Sequence, residues 1–169
     1  MTVDTQVGRA GPVKRVTLWV RDVEAALRVY RDALGLVVIE DKSLSGASIA
    51  RMVGLSQASL RIVHLAAPGM DHGWIGLYAI SDTHPATLPA LTRPEGFPRY
   101  GQATIVLTVQ DMPAIVARLR STPGVQFVTE PTEYRKTTDG DVTPPGLYRE
   151  VIFFDTDGIP VSLLEYVAG

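Results

Sequence analysis

The stretch VTLWVRDVEAALRVYRDALGL, residues 16–36, decides the fold. Val16, Leu18 and Val20 alternate with Thr17, Trp19 and Arg21, the period-two pattern of a strand with one face on a core. Asp22 then stands where a helix N-cap belongs, with Glu24 in the first turn, so that carboxylates meet the free N–H groups of a helix start. Beyond it Val23, Ala26, Leu27, Tyr30 and Leu34 recur at three- and four-residue steps, and Gly35 supplies the stop. The spacing predicts a strand feeding a helix of about three turns.

The same pattern returns later in the chain. Ile105, Leu107 and Val109 alternate up to Asp111, Ile115, Val116 and Leu119 follow at helical spacing, Pro113 is tolerated in the first turn, and Gly124 closes the segment. Asp22 and Asp111 stand about half the chain apart, which marks a tandem duplication. After each helix only strands are expected: 36–41, 49–53, 59–65 and 74–80 in the first half, then 126–129, a short piece near Tyr134, 148–155 and 160–166 in the second. One helix followed by strands is an α+β unit, with the helix covering one face of a small sheet and the other face left free. The expected organisation is an N-terminal tail (1–12), a first βαβββ module (13–81), a proline-rich linker (82–100) and a second βαβββ module (101–169). Together they form one domain, the two curved sheets pairing around a central cleft. A dimeric α+β barrel or another ferredoxin-like sandwich is the alternative built from the same elements.

Bulk composition excludes several partner classes. Of 169 residues 46% are hydrophobic and 20% charged, with a formal charge of -2, which is ordinary for a globular chain. The 16 basic side chains are scattered singly among 18 acidic ones, so no stripe exists to neutralise a run of phosphates and no nucleic-acid partner is expected. The absence of cysteine excludes a disulfide framework, a thiolate metal site and a Cys nucleophile, and is compatible with a cytoplasmic location. No apolar run approaches the ~20 residues of a membrane helix, so no membrane partner is expected either.

At this point the residues resemble a known group. The stretch 16–36 is similar to the opening of glyoxalase, bleomycin-resistance and extradiol dioxygenase modules, where a strand ends in Val-x-Asp and a helix in Tyr-x-x-x-Leu-Gly. FFDTDGIPVSLLEY, residues 153–166, resembles their closing hairpin, an Asp-x-Asp-Gly turn followed by a strand. From about Val13 to Val167 the chain thus resembles the vicinal oxygen chelate superfamily. The motif residues also have folding reasons: Asp22 and Asp111 cap helices, and Gly158 supplies the positive φ of a hairpin turn.

The resemblance implies a cleft in which, in metal-dependent members, four His or Glu side chains from four strands hold a divalent ion. Here the corresponding positions are Arg15 and Thr104, seven residues before Asp22 and Asp111, together with Gly76 in WIGLYAI and Ser162 in IPVSLLEY. Arginine cannot ligate a cation, glycine has no side chain, and a lone hydroxyl is a weak ligand. His64, His72, His84, Glu150 and Glu165 are the other candidates. His72 and His84 read as loop residues, and Glu165 is out of phase with Ser162 and should face away from the cleft, which leaves His64 and Glu150. No metal and no other cofactor is expected.

Strand alternation assigns the cleft-facing side chains. They are Arg15, Thr17 and Trp19; Trp74, Gly76 and Tyr78; Thr104, Val106 and Thr108; Tyr148, Glu150, Ile152 and Phe154; Ser162, Leu164 and Tyr166. Such a pocket has aromatic walls, a few hydroxyls and one guanidinium. Arg15 would either pair with Glu150 or bind a ligand carboxylate, phosphate or enolate, and Gly76 is expected to leave room where an ion and its Glu would sit. Three functional readings follow. One is a small-molecule binding module without metal, whose ligand-binding set is Arg15, Thr17, Trp19, Trp74, Gly76, Tyr78, Thr104, Tyr148, Ser162 and Tyr166. The second is a metal-independent isomerase, lyase or cyclase, in which Glu150 or His64 moves a proton and Arg15 steadies an oxyanion. The third is a metal-dependent lyase or dioxygenase with displaced ligands. The resemblance also implies a homodimer, with the N-terminal tail as a candidate swapped arm.

Overall fold

The computed structural model describes residues 11, 13–80, 97–138 and 143–167. Nearly all of the expected tail, most of the expected linker and His84 lie outside the described residues. The first unit runs β1 (Arg15–Trp19), α1 (Val23–Leu27), β2 (Val37–Ser45), α2 (Ala47–Met52), β3 (Ser59–Ala66) and β4 (Trp74–Ile80). The second runs β5 (Ile105–Thr108), α3 (Met112–Ser121), β6 (Gln126–Phe127), β7 (Thr132–Lys136), β8 (Gly146–Phe154) and β9 (Pro160–Val167). Two separate open curved sheets result, a four-stranded one in the order β1-β4-β3-β2 and a five-stranded one in the order β5-β9-β8-β6 with β7 also on β8. In each, the first strand lies parallel to the last, β1 on β4 and β5 on β9, so the duplicated pattern is a duplicated topology.

The helix starts form as their residues dictate. Asp22 accepts hydrogen bonds from the backbone N–H groups of Glu24 (2.8 Å) and Ala25 (3.1 Å), and Asp111, held at a φ of 57°, accepts from Ala114. Glu165 faces away from the free face of its sheet, as its phase requires: it takes the Met112 N–H at 2.9 Å and the Arg149 guanidinium at 2.9 Å, so it too satisfies the start of α3. Leu18, Val20, Val63, Leu65, Ile75 and Leu77 of the first sheet, Val151, Phe153, Val161 and Leu163 of the second, and the buried faces of α1 and α3 form one continuous core.

Two expectations need correction. The segment 49–53 was expected as a strand, but Ala47–Met52 is helix α2. Ile49 and Val53 stand four residues apart and pack with Leu44 and Ile80 over Leu60, Ile62 and Tyr78, on the sheet face opposite α1. A short apolar run has no period of its own to separate strand from helix, and here the tertiary contact decides. The first helix also does not run uniformly. After Leu27 it widens into a π-helical stretch, Arg28–Ala33, with the Leu34 N–H reaching back to the Val29 carbonyl at 2.9 Å.

The units are joined where the first helix meets the β8–β9 turn. The Tyr30 hydroxyl donates to Asp155 Oδ2 at 2.8 Å, and Asp155 Oδ1 accepts the N–H groups of Asp157 and Ile159. Arg21 ion-pairs with Asp157 at 2.8 Å, and Arg118 of α3 donates to the Ala33 carbonyl at 2.9 Å. Burial pushes the Asp155 carboxyl above its ordinary value of 3.8, while burial and the neighbouring Asp155 charge raise the Tyr30 phenol and keep it a donor.

Tyr30→Phe is expected to lower the unfolding free energy by about 1–3 kcal/mol in a denaturant titration, because it removes a buried hydrogen bond to a carboxyl group. An unchanged midpoint would show that the bond does not join the units. The raised value of Asp155 means that folding favours its protonated form. Its stabilising contribution is therefore complete below 3.8 and is lost as pH rises through the folded value. The isosteric Asp155→Asn variant should accordingly gain on the wild type as pH is raised from below 3.8 towards neutrality. A difference independent of pH would contradict this assignment.

Candidate functional site

The register of the first sheet places three expected positions, Thr17, Gly76 and His64, in one row with Glu40. Thr17 on β1 pairs with Gly76 on β4, Gly76 with His64 on β3, and His64 with Glu40 on β2. On the same face Arg15 stands opposite Trp74 and Trp19 opposite Tyr78. This face points away from α1, since Leu18 and Val20, on the other face of β1 and the residue after it, are buried in the core beneath the helices. Helix α2 covers its Leu60–Ile80 end and leaves the Arg15–His64 end polar.

The side chains of this row touch one another. His64, 5% exposed, has its Nδ1 at 2.8 Å from Glu40 Oε2 and its Nε2 at 3.2 Å from the Tyr78 hydroxyl. Lys42, bonded to Glu40 Oε1 at 2.8 Å, holds the Glu40 carboxyl below the usual carboxylate range, and His64 adds to the effect. A carboxylate only accepts, so Nδ1 carries the proton given to Glu40, and in the neutral imidazole Nε2 then accepts the Tyr78 O–H. The Arg15 guanidinium lies 5.6 Å from the Tyr78 ring centre and its Nε donates to Thr17 Oγ1 at 3.2 Å. Trp19 meets the Tyr78 ring edge-on at 5.6 Å, the Trp74 ring lies 5.9 Å from His64, and Lys14 Nζ sits 4.0 Å over Trp74. Trp74 Nε1 is buried with no hydrogen-bond partner among the described residues.

Glycine at 76 has a different reason from the one its sequence context suggested. A Cβ there would come within 2.9 Å of Tyr78 Cε2, 3.2 Å of His64 Cδ2 and 3.5 Å of Arg15 Cδ. The space is filled by neighbouring rings rather than held open for a ligand. Alternation gives the direction of a side chain but not the reach of the rings beside it.

The second sheet gathers a separate group. Ser162, 2% exposed, donates to Glu150 Oε1 at 2.5 Å, and the Tyr134 hydroxyl donates to Glu150 Oε2 at 3.4 Å. Burial and the Glu150 charge push the Tyr134 phenol above its ordinary value. Tyr134 stacks on Tyr148 at 5.8 Å and 19°, Tyr166 meets Tyr148 edge-on at 5.3 Å, and the Tyr148 hydroxyl is fixed on the Pro144 carbonyl at 2.6 Å. Thr104 lies just before β5, Val106 is exposed on that strand, and Val106 pairs in register with Ser162. Of the two roles open to Arg15, the pairing with Glu150 is not formed among the described residues: Arg15 bonds Thr17, and Glu150 accepts from Ser162 and Tyr134. Glu40 was not singled out from sequence, although its pairing with His64 is the shortest polar contact of the first row. His72 sits in an exposed turn against Asp71.

Two grooves flank these groups. One of about 570 Å³ runs beside Thr17, Trp19, Ala103, Ile105 and Ile159, between the first strand of each unit. The other, of about 930 Å³, is lined by Leu36, Thr108, Arg118, Tyr148, Leu164 and Tyr166. Both volumes lie in the range of small-molecule sites, ~300–1,000 Å³.

The duplicated units and the two open curved sheets define a class of small α+β proteins built from tandem βαβββ modules. The matching family model is that of the glyoxalase/bleomycin resistance protein/dioxygenase superfamily, over residues 13–163, and the chain belongs to that superfamily. No curated protein matches it. Among solved structures it is similar to a glyoxalase family protein from Bacillus cereus, with a TM-score of 0.71, 20% identity, and 99% of this chain and 100% of that one covered. It is also similar to a glyoxalase family protein from Enterococcus faecalis, with a TM-score of 0.50, 18% identity, and coverage of 90% and 96%. A glyoxalase I mutant from Zea mays matches with a TM-score of 0.57 and 16% identity, over 91% of this chain and 46% of that one. At these identities the likeness is one of fold.

The donor chemistry can be set against the superfamily's metal site. Arg15 is a cation, Gly76 has no side chain, and the Ser162 hydroxyl is engaged by Glu150. Among the described residues no group of three or more His, Asp or Glu side chains converges as a metal site would require. These residues do not suit a divalent cation.

Gly76→Ala is expected to cost about 1–3 kcal/mol in a denaturant titration and to part His64 from Tyr78, since an inserted methyl must displace two packed rings. Unchanged stability would mean that the space is open after all.

Proposed function

We propose that the polar face of the first sheet binds a small, oxygenated, partly aromatic molecule directly, without a metal ion. The observation that carries this reading is the Arg15 guanidinium. It is exposed, stands against the Tyr78 ring, and bonds to no carboxylate among the described residues. A guanidinium so placed offers its planar fork to a ligand carboxylate, phosphate or enolate oxygen. Thr17, Trp19, Trp74 and Tyr78 supply a hydroxyl and aromatic surface beside it. Tyr148, Tyr166, Thr104 and Ser162 form the matching surface on the second sheet, with Gly76 as the contact that sets the ring positions.

Ligand-observed NMR with a panel of aromatic carboxylates and polyhydroxylated aromatics, in the presence of EDTA, tests the reading. Arg15→Gln is expected to weaken binding about tenfold or more, the ~1.5–3 kcal/mol of a hydrogen bond to a charged group. Binding that survives Arg15→Gln unchanged, or disappears on chelation, would contradict it.

A second reading, a metal-independent isomerase, lyase or cyclase, draws on Glu150. Ser162 and Tyr134 both donate to its carboxylate, as they would to hold a base in one orientation. In that case Glu150→Gln binds but does not turn over, and full turnover in the variant removes Glu150 from the chemistry. Stoichiometric metal in protein purified without a tag would instead support the displaced-ligand alternative. A homodimer in the cytoplasm, with no nucleic-acid or membrane partner, completes the proposal. Among the described residues no helix is long and apolar enough to cross a membrane.

A further inference from the structure

We propose that Glu40, His64 and Tyr78 form a proton relay whose working end is the Tyr78 hydroxyl, closed by the absence of a side chain at position 76. The inference rests on the reading that this face binds an oxygenated ligand at Arg15, and it names the group that does chemistry on that ligand. Three observations support it. The contacts form one unbroken line, Glu40 Oε2 to His64 Nδ1 at 2.8 Å and His64 Nε2 to the Tyr78 hydroxyl at 3.2 Å. The line passes directly over Gly76, where a Cβ would stand 2.9 Å from the Tyr78 ring and 3.2 Å from the imidazole. The Arg15 side chain flanks the same glycine, and its guanidinium lies 5.6 Å from the Tyr78 ring centre, so a ligand oxygen held by Arg15 would bring its neighbouring carbon towards the phenol.

The orientation of the imidazole gives the relay its direction. With Nδ1–H engaged by an ionised Glu40, Nε2 is free to take a proton and the charge it acquires is matched by the carboxylate. The step is proton abstraction next to a carbonyl. The C–H bond of the ligand breaks and its proton passes to the Tyr78 oxygen, while the Tyr78 proton passes to His64 Nε2. The electron pair stays on the ligand as an enolate, whose oxygen Arg15 neutralises. Return of a proton from His64 through Tyr78 to another atom of the enolate restores the protein and leaves an isomerised product. Tyr78 touches the ligand in this scheme. His64 and Glu40 are positioning residues that act through it.

Reaction with phenylmethanesulfonyl fluoride tests the relay without the natural ligand. The phenol oxygen attacks sulfur, fluoride leaves, and the phenol proton goes to the base beside it, so peptide mass spectrometry after partial reaction reads how strongly each tyrosine is activated. Tyr78 is only 6% exposed, whereas Tyr100 is fully exposed and serves as the internal reference. Tyr78 is expected to be modified faster than Tyr100 in the wild type. In His64→Asn and Glu40→Gln it should slow about a hundredfold, the lower end of what a positioned base supplies, with Tyr100 unchanged. If His64→Asn does not fold, Glu40→Gln, altered at a surface side chain, carries the same comparison. Modification of Tyr78 no faster than of Tyr100, or at equal rates with and without the relay residues, would overturn the proposal. The two readings fail separately: titration of Arg15→Gln with ligands reads binding alone, and the labelling rates read the relay alone.

Discussion

Tyr78 and His64 close over the bare backbone of Gly76, and the arrangement of the polar face depends on that contact. Every larger residue at this position projects a Cβ between the two rings. With glycine there, the imidazole bonds the phenol on one side and Glu40 on the other, Arg15 lies along the phenol ring, and Trp19 packs on its edge. Helix α2 supports the same ring from the far end, where Ile49 and Val53 pack with Leu60, Ile62 and Tyr78. A polar half and an apolar half of one sheet face thus meet at a single tyrosine.

The superfamily's resemblance makes the substitution chemically coherent. Where metal-dependent relatives are expected to place a carboxylate, this chain has glycine, and where they place a first-strand imidazole it has a guanidinium. Losing the carboxylate makes room for the phenol–imidazole bond. In the proposed function the Arg15 guanidinium supplies the positive charge that an ion would otherwise bring to an oxygen. The second sheet shows a related economy: Ser162 turns inward to Glu150, and three tyrosines build an aromatic surface beside them.

Much of this fold was legible in the chain. The capping aspartates, the glycine stops and the period-two runs marked both units, and the phase of β1 correctly separated Leu18 and Val20 from Arg15, Thr17 and Trp19. Helix α2 was not legible, because Ile49, Ala50, Met52 and Val53 form an apolar run too short to declare a period. Its position also hid Glu40. Knowing that Glu40 lies opposite His64 requires the β2–β3 register, and a connection containing a helix sets no register of the kind a tight hairpin does. The filled space at Gly76 and the missing Arg15–Glu150 pair were hidden for a similar reason. Alternation assigns a face, whereas ring reach and the spacing between two sheets are properties of the folded molecule.

A crystal structure of the untagged protein grown with excess zinc or manganese, with anomalous diffraction recorded at the metal edge, tests the central claim most directly. The account predicts no ion at Arg15, Gly76, Thr104 and Ser162, and the Tyr78–His64–Glu40 line intact over Gly76. An ion held at those positions, with His64 turned away from Tyr78 to bind it, would contradict the account.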